Sequence, residues 1–284
     1  MPTFITAPGL MHFYTTMKKF ITSILLIIAA TAQVWGVVYS TELQRAAEAG
    51  DMVSQYKLAH CYHYGNGIDV DMITAAYWYK KAADQGDMYS QSELGNLYYL
   101  GEGVGKDDKA ALQWWNKAAK SGYWGGAYSI GYYYLKAKDY KHAIEWFNYS
   151  NEISRKNMKY PILANFELGL CYYSNWQGQD YAKAFNLFSQ EVEENNNFAR
   201  AKLGEMYMRG QLVAQDYDKA FKLLKEAAEN EIQPSGDAMN LLSSCYRFGL
   251  GTAKDINKAD YWLNKSKETS SDLVVLIMQA LSEK

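Results

Sequence analysis

The chain of 284 residues is poor in the side chains on which most site chemistry depends: four histidines, three cysteines, and 29 Lys and Arg against 31 Asp and Glu. That charge balance does not favour a nucleic-acid partner, since phosphate binding needs a clustered positive surface. His60 and His63 stand at i and i+3, a helical spacing that can begin a metal site, but two ligands fall short of a closed four-ligand set. His12 and His142 lie elsewhere, and no acid or cysteine stands at matching spacing. Neither a metal nor a cofactor is expected. An odd cysteine count points to an intermolecular bridge, a reactive thiol or simple burial. Their positions decide between these.

What the sequence does have is internal repetition. LAHCYHYGNG from Leu58 returns as LGNLYYLGEG from Leu94, IGYYYLKAK from Ile130, LGLCYYSNW from Leu168, LGEMYMRGQ from Leu203 and LSSCYRFGLG from Leu242. The spacings are 36, 36, 38, 35 and 39 residues. Each unit continues with an aspartate (Asp71, Asp107, Asp139, Asp180, Asp216, Asp255) and, four residues on, an alanine (Ala75, Ala111, Ala143, Ala184, Ala220, Ala259). Three further on come Trp78, Trp114, Trp146, Leu187, Leu223 and Trp262. A period in this range means a stacked solenoid, each unit burying its apolar face on its neighbours.

Both halves of a unit have helical spacing. Leu94, Leu97 and Tyr98 fall on one stripe, and Ala111, Trp114 and Ala118 on another, which predicts two amphipathic helices per unit. Gly101, Gly103 and Gly105 make the turn between them, and Asp107 is an N-cap. Ala59, Gly95, Gly131, Gly169, Gly204 and Ser243 hold one column small, which predicts close helix contact there. Cys61, Cys171 and Cys245 align with Leu97, Tyr133 and Met206, a core slot, so they are expected as buried hydrophobes with no intramolecular disulfide.

The pattern LGxxYxxGxG followed by KDxxKAxxWWxKAAxxG resembles the Sel1-like repeat, a relative of the tetratricopeptide repeat. The resemblance implies an all-α fold: an α-α superhelix, a right-handed solenoid of about six helix pairs over residues 40–268. The third and fourth units depart from it. Lys136-Ala137-Lys138-Asp139 replaces the glycine-rich loop, and Ser150 and Glu191 stand where paired alanines belong. The resemblance further implies an adaptor or scaffold with no catalytic activity of its own, holding a protein or peptide partner on a concave surface formed by the LGxxY helices. Two variable positions per helix share a face and are the candidate binding residues: His60 and His63, Asn96 and Tyr99, Tyr132 and Leu135, Leu170 and Tyr173, Glu205 and Met208, Ser244 and Arg247. Tyr, Met and Arg suit such a surface, combining contact area with adaptable or polar ends. Some secreted members staple each repeat with a cysteine pair; the second cysteine is missing here.

The ends carry further expectations. Residues 1–16 are read as lying upstream of the true start or as unstructured. MKKFITSILLIIAATAQ from Met17 has the form of a secretory signal covering 17–32, with Lys18 and Lys19 before an apolar core and Ala30-Thr31-Ala32 before Gln33. This predicts an exported protein, periplasmic or secreted. The alternative is a membrane anchor retained through residues 20–41. Ser270-Ser271-Asp272 introduces LVVLIMQAL, expected as a capping helix over 269–284. Ser54-Gln55-Tyr56-Lys57 matches the SxxK start of penicillin-recognising enzymes, which gives a rival reading as a hydrolase of β-lactam or cell-wall substrates. Yet Ser90 occupies the same repeat position, no KTG occurs, and Ser271-Asp272-Leu273 is not SDN.

Overall fold

The computed structural model describes residues 38–158, 163–174, 176–230 and 234–282, with side chains described as far as residue 269. These contain thirteen α-helices and, among the described residues, no strand. They are α1 (Thr41–Glu48), α2 (Met52–Tyr64), α3 (Met72–Asp84), α4 (Met88–Leu100), α5 (Asp108–Lys120), α6 (Trp124–Lys136) and α7 (Tyr140–Asn157). Then follow α8 (Asn165–Tyr173), α9 (Tyr181–Glu193), α10 (Asn197–Arg209), α11 (Tyr217–Ala228), α12 (Gly236–Phe248) and α13 (Ile256–Ser282). Each helix packs chiefly on its predecessor and successor. From α2 onward they form six consecutive pairs, the first member carrying the LGxxY pattern and the second following the repeat aspartate.

One backbone bond closes every pair. The N–H of the repeat aspartate donates to the carbonyl of the repeat tyrosine: Asp71 to Tyr62 (2.9 Å), Asp107 to Tyr98 (2.9 Å), Asp139 to Tyr134 (2.9 Å), Asp180 to Tyr172 (2.9 Å), Asp216 to Tyr207 (3.0 Å) and Asp255 to Tyr246 (2.8 Å). The short turn of the third unit and the long loops of the others end in the same bond. The aspartate side chain then caps the second helix, as Asp107 does by accepting from the N–H groups of Lys109 and Ala110 at 2.9 and 3.0 Å. Gly103 shows what the longer loop demands. Its φ is +68°, and a Cβ there would collide with the carbonyl of Met72, the first residue of α3. The loop of one unit thus rests on the second helix of the unit before it.

The small column does what its regularity predicts. A Cβ added at Gly95 would run into the Trp115 ring, at Gly131 into Phe147 (2.7 Å), and at Gly204 into Leu224 (2.8 Å). These contacts correct the expected stripe of the second helix. The fully buried large side chain is four residues after the repeat alanine, at Tyr79, Trp115, Phe147, Phe188 and Leu224. Trp78, Trp114, Trp146, Leu187 and Leu223, three residues after it, are half-buried. Trp114 accordingly lies over the solvent side with the Lys117 ammonium 3.7 Å from its ring centroid. Only in the last unit does the third position, Trp262, take the buried place.

Cys61, Cys171 and Cys245 are buried, and none is joined to another in a disulfide. Burial pushes the Cys171 thiol up to about 12 and that of Cys245 to about 11, so both resist forming the reactive thiolate.

At the C-terminus α13 is continuous from Ile256 to Ser282. Ser270-Ser271-Asp272 therefore starts no new helix, and the segment expected as a separate cap extends the second helix of the last pair. Among the described residues no helix is long and apolar enough to cross a membrane. The signal segment 17–32 lies outside the described residues, as does all but the last four residues of the alternative anchor.

Candidate functional site

A groove of about 640 Å³ opens across the middle of the stack. Its walls come from α4 (Ser92, Glu93, Asn96), the start and middle of α6 (Trp124, Gly125, Tyr128, Ser129) with Tyr123 before it, α8 (Phe166, Glu167), Glu191 near the end of α9, and Asn196 and Phe198 at the start of α10. A smaller recess of about 110 Å³ continues it through Asn96, Tyr99, Trp115, Tyr132 and Tyr133. First helices of neighbouring pairs touch in this region, α4 on α6 and α6 on α8. That contact makes one surface out of three repeats.

Three carboxylates line the groove, and each is oriented by a neutral donor. Asn96 Nδ2 donates to Glu93 at 3.2 Å, while Asn96 Oδ1 accepts from Trp115 Nε1 at 3.0 Å. The Tyr128 hydroxyl donates to Glu167 at 2.8 Å, and Asn196 Nδ2 to Glu191 at 2.8 Å. Burial raises the Glu93 carboxyl above its ordinary range, opposed by the Asn96 bond. Burial likewise raises Glu167, with the Glu191 charge adding to it and the Tyr128 bond opposing. Among the described residues lining the groove there is no lysine or arginine.

The twelve sequence-predicted positions divide. Asn96, Tyr99 and Tyr132 line these cavities, with Tyr132 41% exposed. Tyr99 also packs on Trp115 and Tyr133. His60 and His63 lie against Tyr64, with centroids 4.4 and 4.2 Å away, and His63 Nδ1 is 3.3 Å from the Tyr79 hydroxyl. Burial lowers His63 to about 4, so it is neutral at physiological pH. Among the described residues no three His, Cys, Asp or Glu gather closely enough to hold a metal ion. Leu135, Leu170, Tyr173 and Met208 pack against core clusters. Glu205 is held by Lys202 at 3.2 Å and Arg209 at 2.9 Å, Arg247 by Asp260 at 2.6 Å, and the Ser244 hydroxyl donates to the Asn240 carbonyl at 3.3 Å. The structure thus gathers Asn96, Tyr99 and Tyr132 into one surface and disperses the rest.

Sequence reasoning missed the column just before the repeat leucine, where Glu93, Ser129 and Glu167 stand. Glu93 is three residues before Asn96, so the same helical face continued one turn back would have reached it. Ser54, the SxxK serine, sits in the first turn of α2 with its N–H donated to Asp51 at 2.7 Å, as that of Ser90 is to Asp87 at 2.7 Å in the next unit. Its place is a capping position of the repeat.

The Sel1 repeat matches residues 53–87, 89–123, 125–150, 162–190, 198–231 and 236–268, well over half of the chain. The chain belongs to the Sel1-repeat family. Its six Sel1 repeats coincide with the six helix pairs. Similar solved structures include a protective antigen present in uropathogenic Escherichia coli strains, displaying an SLR fold, and a Sel1 repeat protein from Oxalobacter formigenes. The first is 30% identical with a TM-score of 0.63, covering 80% of this chain and 48% of its own. The second is 28% identical with a TM-score of 0.63, covering 78% and 89%. Among curated relatives, protein sel-1 homolog 2 of Mus musculus is 33% identical over 101 residues, 36% of this chain but 14% of that protein. An uncharacterised protein of Neisseria meningitidis is 30% identical over 89 residues, 31% of this chain and 18% of its own. The chain therefore matches only a small part of these curated relatives.

Proposed function

We propose that the protein is an exported adaptor or scaffold that holds a protein or peptide partner and catalyses no reaction itself. The observation that carries this is the groove of about 640 Å³, built jointly by α4, α6 and α8 and continuing into the recess beside Tyr132. Sel1 repeats generally mediate protein interactions, which favours a macromolecular ligand. Tyr132 and Phe198, 41% and 40% exposed, supply large side chains whose burial by a partner removes apolar surface from water. Export rests on the Met17 to Gln33 sequence alone, and the charge balance keeps nucleic acid out of the partner list.

The test compares capture from an envelope fraction by the immobilised wild-type chain and by Tyr132→Ala and Phe198→Ala. Capture of a defined protein by the wild type, lost in both variants while their circular dichroism melts stay nearly unchanged, supports the reading. Equal capture by all three contradicts it.

A further inference from the structure

The geometry points to an extended peptide segment carrying Lys or Arg between apolar residues as the occupant of the central groove. This deepens the scaffold reading and rests on it. The argument is charge complementarity within an aromatic channel. Glu93, Glu167 and Glu191 present three carboxylates to one cavity, and the cavity's described lining has no cation. Their hydrogen bonds from Asn96, Tyr128 and Asn196 are neutral, so they fix orientation without cancelling charge. A carboxylate has about four acceptor sites, so a single donor leaves room for an ammonium or a guanidinium fork.

The next unit shows that compensation was available to this fold. At the position equivalent to Glu93 and Glu167 stands Lys202, which ties down Glu205 at 3.2 Å, with Arg209 adding a second bond at 2.9 Å. The acidic track therefore ends in a neutralised patch. The walls between the carboxylates are Tyr123, Trp124, Tyr128, Phe166 and Phe198. Their rings contact in two groups, Tyr123 to Trp124 at 5.8 Å and Trp124 to Tyr128 at 6.2 Å in one, and Phe166 to Phe198 at 6.3 Å in the other. Aromatic faces attract cations and also accept apolar side chains, so this wall suits alternating Lys or Arg and apolar residues. Burial has raised both Glu93 and Glu167, which an incoming cation would reverse by restoring a partner to each charge.

The test is fluorescence anisotropy of the full chain with a labelled dodecapeptide, (Ala-Lys-Ala-Phe)3, and its twin with Glu for every Lys. The lysine peptide is expected to bind at least tenfold more tightly than the twin and to weaken as salt rises. Glu93→Gln with Glu167→Gln, which keeps shape and removes charge, should bring the two peptides within about threefold of each other. Glu205→Gln, outside the groove, should leave the preference intact. Equal binding of both peptides to the wild type, or an undiminished preference in the double variant with an intact melt, overturns the inference. If the acidic twin binds better and Phe198→Ala weakens it, the cationic occupant is wrong while the groove reading stands. If neither peptide binds and sedimentation shows the groove closed by a second copy of the chain, both fall.

Discussion

The outer repeats and the middle ones solve the same packing problem with different chemistry. In the first, second and fifth units the second helix ends on a buried alanine pair, Ala82-Ala83, Ala118-Ala119 and Ala227-Ala228. Two small apolar side chains let the next helix approach closely. In the third unit the same places hold Ser150 and Asn151, both buried. There the Ser150 hydroxyl donates to the Trp124 carbonyl at 3.0 Å, and Asn151 Oδ1 accepts the Ala164 N–H at 2.6 Å. In the fourth unit the alanine is Glu191, which lines the groove. The regular repeats make a stack; the irregular ones spend their departures on polar junctions and on the groove between them.

The comparison breaks most sharply if the two junctions are exchanged. Ala119→Asn brings an amide into a filled apolar junction, and overpacking with an unpaired polar group should cost about 3 kcal/mol. Asn151→Ala, the reverse move, should cost about 1 to 3 kcal/mol, because it strands the buried Ala164 N–H. Urea unfolding of the two variants checks the order. An Asn151→Ala variant as stable as the wild type would mean that the middle junction is an alanine junction in disguise.

A smaller effect is expected at Leu212, which has φ +70° where the equivalent residues Gly103 and Gly251 have φ +68° and +67°. Leu212→Gly should stabilise by about 1 kcal/mol, since the left-handed conformation costs a side-chain-bearing residue about 1 to 2. That corresponds to a melting temperature higher by roughly 2 to 4 °C. The smallest effect concerns Glu93. Its folded-state carboxyl titrates above the unfolded one, so the folded state loses stability as pH rises through the folded value and keeps it below the unfolded value. Glu93→Gln should therefore melt higher than the wild type at pH 7, and the gap should close as pH falls below the ordinary glutamate range. A gap that widened in acid would show the carboxylate to be stabilised in the groove.

The fold was legible in the sequence because one period carries it. The Asp column, the small column and the Tyr column each correspond to a specific contact: a cap, a helix crossing and a closing backbone bond. Trp114-Trp115 was harder to read, since two adjacent aromatics both fit an amphipathic helix. What separates them is size complementarity, because the residue facing Gly95 across the pair must be the one that fills its vacancy, and that is Trp115. The groove was less legible. Asn96, Tyr99 and Tyr132 belong to a repeating face, whereas Glu191 and Phe198 reach the cavity from outside the LGxxY pattern, brought there by the way neighbouring units stack. A periodic sequence states what every unit shares. Its site is made by residues that units do not share.

Hydrogen exchange on the full chain, with and without the lysine and phenylalanine dodecapeptide, tests most directly that the groove across the second to fourth units and the start of the fifth is the binding region. Added protection is expected in 88–100, 124–136, 165–173 and the start of 197–209, with 236–248 unchanged. Protection confined to the terminal repeats, or to the second helices, would contradict the account.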